Sequence, residues 1–121
     1  NNVVWNGENG RTIFFQNELP YDAPNQAAWR HGGENGYAAY KVADAVKAHE
    51  AWGLGSYIFT NVDPSLHASN AFEVPRTPGV RMHDLLTISL NKAGTIDHVI
   101  NGVGDAVTPT YQGPSDVVSY P

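Results

Sequence analysis

Turn-forming residues divide this chain into short segments and exclude long regular elements. Four Asn-Gly pairs, which begin at Asn6, Asn9, Asn35 and Asn101, readily supply the positive φ of tight turns. Eight prolines are spread along the chain and interrupt any long helix. The runs between these breakers are rich in β-branched and aromatic residues, which is typical of strands. They are Val3 to Trp5, Thr12 to Gln16, Ser56 to Thr60, Leu85 to Leu90 and Thr95 to Ile100. We therefore expect an all-β chain.

Two features leave the arrangement of these strands open. The Ala-rich stretch from Tyr37 to Trp52 has near-helical spacing of its apolar residues, so local propensity also allows a helix there. Short, irregularly spaced strands with polar connections fit a β-solenoid, and they also fit a sandwich. The segment from Ala68 to Val80 contains two prolines, and we expect it to leave the core as a long excursion.

Composition excludes several classes of function. The net charge is −5 and the seven basic residues are scattered singly, so nothing predicts a nucleic-acid partner. No apolar run reaches the ~20 residues of a membrane span. The chain has no cysteine, and its five histidines lie too far apart to predict a metal site. His49-Glu50 and Asp97-His98 are instead interpreted as neighbouring pairs that hydrogen-bond to each other.

The low charged fraction of 16% implies a surface of neutral polar groups, which is common in secreted carbohydrate-binding β proteins. The chain begins at Asn1 with neither an initiating Met nor a signal peptide, and we expect it to be a segment of a longer protein.

Residues 12–24 hold the most informative candidates for chemistry. Because alternate residues of a strand share a face, Ile13 and Phe15 are expected to point into the core, with Phe14, Gln16 and Glu18 pointing together out of it. A carboxyl group beside an amide and an aromatic ring is what sugar cleavage requires, since an acid must protonate the glycosidic oxygen while polar groups bind hydroxyls. The alternative is that Glu18 is an ordinary solvated residue at a strand end.

The residues after Glu18 extend this candidate site. Pro20 forces the preceding Leu19 into extended backbone, and Tyr21 follows in a loop closed by a second proline, Pro24. The indole of Trp29 could stack on a pyranose ring, whereas Trp52, which lies among Ala and Gly, is expected to be buried.

The sequence also resembles a known family. The string FFQNELPYDAPNQAAW, from Phe14 to Trp29, is similar to the segment that carries the catalytic acid in the exo-β-1,3-glucanases of glycoside hydrolase family 55. Further strings resemble the same family in the same order along the chain: GYAAYKVADAV, HEAWGLGSY, the Pro-flanked Phe72 to Pro75, and GTIDHVING. The resemblance therefore covers nearly the whole chain.

This resemblance implies the C-terminal coils of a right-handed parallel β-helix, in which residues 37–59 are mostly non-helical. It implies inverting hydrolysis of β-1,3-glucan by a secreted enzyme, with no metal or organic cofactor. Carried over by position, Glu18 would be the general acid and Tyr21 a residue of the substrate pocket. Gln16 and Trp29 are the further candidates for substrate binding.

An inverting enzyme also needs a water-activating group ~6.5–9.5 Å from the acid. We expect the remaining N-terminal part of the same enzyme to supply it, because Asp22 lies beyond a Pro-bracketed turn and Glu8 precedes a turn that aims it elsewhere. The chain alone is then expected to be inactive, with an open coil edge that invites pairing. The alternative function is a non-catalytic carbohydrate-binding or structural β-helix segment.

Overall fold

Ten strands and no helix make up the chain in a computed structural model that describes all residues, 1–121. The strands are β1 (Val3–Trp5), β2 (Gly10–Glu18), β3 (Arg30–His31), β4 (Glu34–Asn35), β5 (Tyr40–Val42), β6 (His49–Ile58), β7 (His67–Glu73), β8 (Val80–Ser89), β9 (Thr95–Ile100) and β10 (Ser115–Tyr120). The all-β prediction is confirmed. The structure contains no helix long and apolar enough to cross a membrane.

The long strands form two parallel sheets between which the chain alternates. The first sheet has the order β1-β5-β7-β9, and the second has the order β10-β8-β6-β2. Five strands each pair in parallel with a strand from the next pass of the chain: β1 with β5, β2 with β6, β5 with β7, β6 with β8 and β7 with β9. The final strand, β10, runs antiparallel along β8 and closes that edge. A small β3-β4 hairpin lies outside the two sheets.

Apolar side chains from both sheets meet in one core. The largest fully buried side chains include Tyr40 and Phe72 from the first sheet and Leu54, Met82 and Leu85 from the second. The Ala-rich stretch that local propensity would make helical is not helical, and it contains β5 and the start of β6. Tertiary pairing overrides propensity here, because small residues such as Ala39 and Ala51 are completely buried between the sheets.

Two expectations about the backbone are wrong. The segment from Ala68 to Val80 is not an excursion, since β7 is an inner strand of the first sheet and buries Ala68, Ala71 and Phe72. Ile13 does not point into the core and is 73% exposed. Its neighbour Phe14 has a φ of 62° and no partner on β6, so the alternation of faces shifts there. Phe15 does pack against the core as expected.

Candidate functional site

Glu18 is the last residue of β2 and its side chain is exposed on the outer face of the second sheet. Its register partner on β6 is Tyr57. The phenol of Tyr21, three residues further along the chain, donates a hydrogen bond to Oε2 of Glu18. The two side chains that sequence reasoning singled out as acid and pocket residue are therefore in direct contact.

Backbone contacts with the next pass of the chain hold Tyr21 in this position. The N–H of buried Leu19 donates to the carbonyl of Tyr57 (2.8 Å), which anchors the chain directly after Glu18. The carbonyl of Tyr21 accepts the N–H of Asn61 (2.8 Å). The ring of Tyr21 also packs edge-on against Phe59, with the ring centroids 5.3 Å apart. These contacts fix the end of β2, which carries Glu18, against the connection that follows β6.

The electrostatics of this pair favour a protonated phenol. The hydrogen bond to Glu18 raises the pKa of Tyr21 above its ordinary value of 10.0, and desolvation and the nearby carboxylate charge act in the same direction. Tyr21 consequently remains a hydrogen-bond donor to Glu18 throughout the neutral pH range. A donor fixed on one carboxylate oxygen leaves the other free to face a substrate.

The carboxylates nearest in sequence are not engaged with this pair. Glu8 is directed away, because its two carboxylate oxygens accept the backbone N–H groups of Lys47 (2.8 Å) and Ala48 (2.9 Å). This confirms the expectation that the turn after Glu8 aims it elsewhere. Asp22 is exposed in the loop and has no hydrogen-bond partner within the chain.

An apolar slot of about 290 Å³ lies on the same outer face as Glu18. Gln16, on the same side of β2 as Glu18, lines this slot, as does Tyr57. The complete lining consists of Phe14, Phe15, Gln16, Gly53, Leu54, Gly55, Tyr57, Asp84 and Leu86. The expected outward grouping of Phe14, Gln16 and Glu18 is therefore present, and strands β6 and β8 add residues that the sequence did not single out.

Trp29 and Trp52 each lie in the environment that was expected of the other. Trp29 is 7% exposed and belongs to the core cluster, with its ring against Gly36. It is not part of the surface around Glu18, so its predicted role in substrate binding finds no support in its position. Trp52, expected to be buried, is only partly covered on the outer face, where it stacks on His83 with ring centroids 5.3 Å apart.

The histidines pair across strands and not with their sequence neighbours. Glu50 bonds His83 (2.9 Å) instead of His49, and this contact is the main cause that lowers the pKa of Glu50, with Arg81 and Arg11 contributing. His49 bonds the hydroxyl of Tyr40 (2.7 Å) inside the core, and burial lowers the pKa of its ring.

Asp97 bonds His67 (2.7 Å) and not His98, which contacts the carbonyl of Gly104. The interpretation of adjacent hydrogen-bonding pairs is therefore wrong. No group of three or more His, Asp or Glu residues is placed to hold a metal ion.

A second, polar groove of about 900 Å³ lies on the outer side of the first sheet. In this groove the carboxylate of Glu73 forms an ion pair with Lys41, with one oxygen 3.3 Å from Nζ of Lys41 and the other 3.9 Å from Nε2 of His31. Sequence reasoning missed this groove because its residues come from separate passes of the chain and share no local motif.

Comparison with known proteins identifies the kind of molecule in which this geometry occurs. No protein-family model matches the chain. It is 53% identical, over 119 residues and 98% of its length, to an exo-beta-1,3-glucanase from Streptomyces sp. (strain SirexAA-E / ActE). The structure of sacteLam55A from Streptomyces sp. SirexAA-E matches with a TM-score of 0.95 at 53% identity, over 98% of this chain and 22% of that one.

A glutamate-to-alanine variant of sacteLam55A in complex with glucose matches equally well, with a TM-score of 0.95 at 52% identity. The chain spans 20% of the length of the glucanase it matches. It is thus similar to a segment of an exo-beta-1,3-glucanase, in agreement with the resemblance drawn from the sequence.

Proposed function

We propose that this chain is part of an exo-acting β-1,3-glucan hydrolase and that Glu18 is its general acid. The single observation that carries the proposal is the contact between the exposed side chains of Glu18 and Tyr21, in a chain 53% identical to an exo-beta-1,3-glucanase. A glycosidase needs one carboxylic acid that protonates the leaving oxygen. Glu18 meets the geometric requirement, since it is exposed, lies at the end of a paired strand and is oriented by a fixed donor.

The architecture proposed for the whole enzyme region is a right-handed parallel β-helix. Its support is the alternation of the chain between two parallel sheets, with β2, β6 and β8 stacked in register in one of them. The TM-score of 0.95 to the laminarinase structure adds to this. In such a stack β1 and β2 are edge strands that each pair on one side only, so the preceding part of the same enzyme would continue both sheets.

The mechanism we propose is inverting. In that mechanism a second group activates a water ~6.5–9.5 Å from the acid, on the opposite side of the scissile bond. The carboxylate of Glu8 is occupied by backbone N–H groups, and the only side chain hydrogen-bonded to Glu18 is the Tyr21 phenol. The water-activating group is therefore assigned to the remainder of the enzyme. The proposed location is outside the cell, because a β-1,3-glucan polysaccharide is too large to enter it.

Within this proposal the three predicted substrate-binding residues have different roles. Tyr21 acts through its hydrogen bond to Glu18 and also presents its ring beside the acid. Gln16 lines the slot and offers an amide to sugar hydroxyls. Trp29 contributes to the core and is left out of the substrate surface.

The test is Glu18→Gln in the complete enzyme that carries this chain. The amide keeps the shape of the side chain but has no acidic proton to donate, so turnover of laminarin-type glucan should fall by at least ~10²-fold while glucan binding persists. An activated aryl β-glucoside, whose leaving group needs little protonation, should lose much less. Glu34→Gln, on the exposed β4 strand, is the matched control and should retain parental activity.

Parental turnover of glucan by Glu18→Gln would refute the assignment of the acid. Glucan binding by the unmodified enzyme without any hydrolysis would favour the non-catalytic alternative. If hydrolysis occurs, the anomeric configuration of the first product, followed by proton NMR, tests inversion separately.

A further inference from the structure

Gly55 lies inside β6, where a glycine weakens a strand and needs a reason. The other two glycines within strands have one. Gly53 has a φ of +70°, and a Cβ on Gly10 would come within 2.4 Å of the Trp5 and His49 rings. Gly55 has neither property: its φ is not positive, and a Cβ there would meet only ordinary contacts, the nearest being the Tyr57 ring at 3.4 Å and Leu86 at 3.6 Å. Neither backbone conformation nor packing requires this glycine.

Gly55 borders the apolar slot and is itself buried beneath neighbouring side chains. Gly55 is flanked in register by Gln16 on β2 and Leu86 on β8, and all three line the slot. The ring of Tyr57, two residues further along β6, leans over Gly55, because both its Cε2 and its hydroxyl oxygen come within 4 Å of where a Cβ would stand. A side chain larger than a methyl group at position 55 would press against the Tyr57 ring and Leu86, both of which line the slot.

The slot lies on the same outer face as the acid. Gln16 and Glu18 lie on one face of β2, one two-residue repeat or about 6.7 Å apart. Tyr57 is the register partner of Glu18 on β6, and it also lines the slot. The side chain of Tyr57 therefore connects the slot with the position of Glu18. A ligand in the slot would thus contact Tyr57, the residue paired with Glu18 across the two strands.

We propose that this slot is a subsite for a glucosyl unit of the β-1,3-glucan chain and that Gly55 keeps it open. The inference rests on the function proposed above and adds the residues that receive the sugar. The C–H face of a pyranose ring would pack on Tyr57 and Leu86, as apolar sugar faces do on aromatic surfaces. The amide of Gln16 at the side of the slot would bind hydroxyl groups.

The experiment introduces Gly55→Ala and Gly55→Val into the complete enzyme. The slot fills progressively, so KM for laminarin should rise in the order Gly, Ala, Val, by at least ~10-fold for Val, in line with the cost of extra carbon atoms in a fitted pocket. The value of kcat should stay within about twofold, because the acid is untouched. Binding of a β-1,3-gluco-oligosaccharide measured by calorimetry should weaken by the same factor.

Two further variants separate a subsite from a folding effect. Tyr57→Ala removes the ring over the slot and should also raise KM, whereas Tyr57→Phe keeps it and should resemble the parent. Gly55→Ala adds only a methyl group at ordinary contact distances, so it should raise KM without lowering the thermal midpoint. Ile13→Ala alters an exposed side chain of β2 outside the slot and should change neither constant.

An unchanged KM in Gly55→Val would overturn the subsite. That failure is distinct from failure of the proposed function, which is read from the turnover of Glu18→Gln. If Glu18→Gln loses glucan turnover and Gly55→Val binds glucan at parental affinity, Glu18 remains assigned as the general acid and the proposed subsite is refuted.

Discussion

The buried hydroxyl of Tyr40 links three strands, and its removal should destabilise the fold measurably. The side chain is 1% exposed, and its oxygen is 2.7 Å from Oγ1 of Thr12 on β2 and 2.7 Å from Nε2 of His49 on β6. In Tyr40→Phe both partners lose this bond, and His49 is left with no partner at all because its Nδ1 already lacks one. A buried polar group without a partner costs about 1–3 kcal/mol. With Thr12 only partly buried, the sum is about 2–4 kcal/mol.

Urea unfolding of the chain at low protein concentration measures this cost. The ring of Trp5 lies 5.0 Å from that of His49, so tryptophan fluorescence reports on the affected region. With a urea dependence of roughly 2 kcal/mol per molar, the midpoint should fall by about 1–2 M. Tyr111→Phe, at an exposed tyrosine, is the control and should stay within about 0.5 kcal/mol of the parent.

A double-mutant cycle sharpens the reasoning. Thr12→Val removes the other end of one hydrogen bond, so the pair Tyr40→Phe and Thr12→Val should cost less than the sum of the two single changes. A midpoint within about 0.2 M of the parent for Tyr40→Phe would refute the claim that the buried hydroxyl contributes to stability.

Two further predictions concern pH and the sheet edge. Burial lowers the pKa of His49 in the folded chain, so the unfolded chain takes up this proton first as the pH falls. The stability that neutral His49 contributes should be complete above about pH 6.5 and decline below it, and His49→Gln should flatten the difference between urea midpoints at about pH 7.5 and 5.5. Deletion of β10 (Ser115–Tyr120) should expose the edge of β8 and increase concentration-dependent association above that of the parent chain, detectable by light scattering, and a deletion variant that associates no more than the parent would contradict this.

Turn chemistry predicted most of the strands, because breakers are local signals. The runs Val3 to Trp5 and Thr95 to Ile100 coincide with β1 and β9. The run from Thr12 lies inside β2, whereas the runs from Leu85 to Leu90 and from Ser56 to Thr60 overlap the ends of β8 and β6. Parallel neighbours extend each strand beyond what its own residues specify.

The missed strand β7 has a physical explanation. Its buried residues are Ala68, Ala71 and Phe72, which neither alternate regularly nor stand out as an apolar run. Their burial depends on β5 on one side and β9 on the other, and this pairing cannot be read from β7 alone. The single-sequence pattern fails where the small residues of an inner strand pack between larger ones from other passes.

The sequence likewise predicted only part of the candidate site. Glu18 and Tyr21 are three residues apart, so one stiff segment brings them together and the sequence could indicate both. Gly55 and Tyr57 reach the same surface only through the register that pairs Glu18 with Tyr57, across 39 residues of sequence. Register between parallel strands is set by the whole core, and no local motif predicts it.

The outward orientation of Glu18 itself depends on a break in strand regularity. Thr12 points inward to the Tyr40 hydroxyl, and uninterrupted alternation would send Gln16 and Glu18 inward as well. Phe14 adopts a φ of 62° and pairs with nothing on β6, so Ile13 and Phe14 both face outward and the alternation resumes one step later with Phe15 inside.

The same left-handed step occurs at the matching position of the two neighbouring strands, at Gly53 with φ 70° and Asp84 with φ 55°. Both are omitted from the register between β6 and β8, which pairs Trp52 with His83 and then Leu54 with Leu85. A left-handed conformation costs a non-glycine residue about 1–2 kcal/mol, and Phe14 and Asp84 both carry that cost. Stacking three steps in register lets the strands bend together without losing their pairing. The strained conformation of Phe14 has a direct structural consequence. The shift in alternation that it causes puts the Glu18 carboxyl on the outer face, where a substrate could reach it.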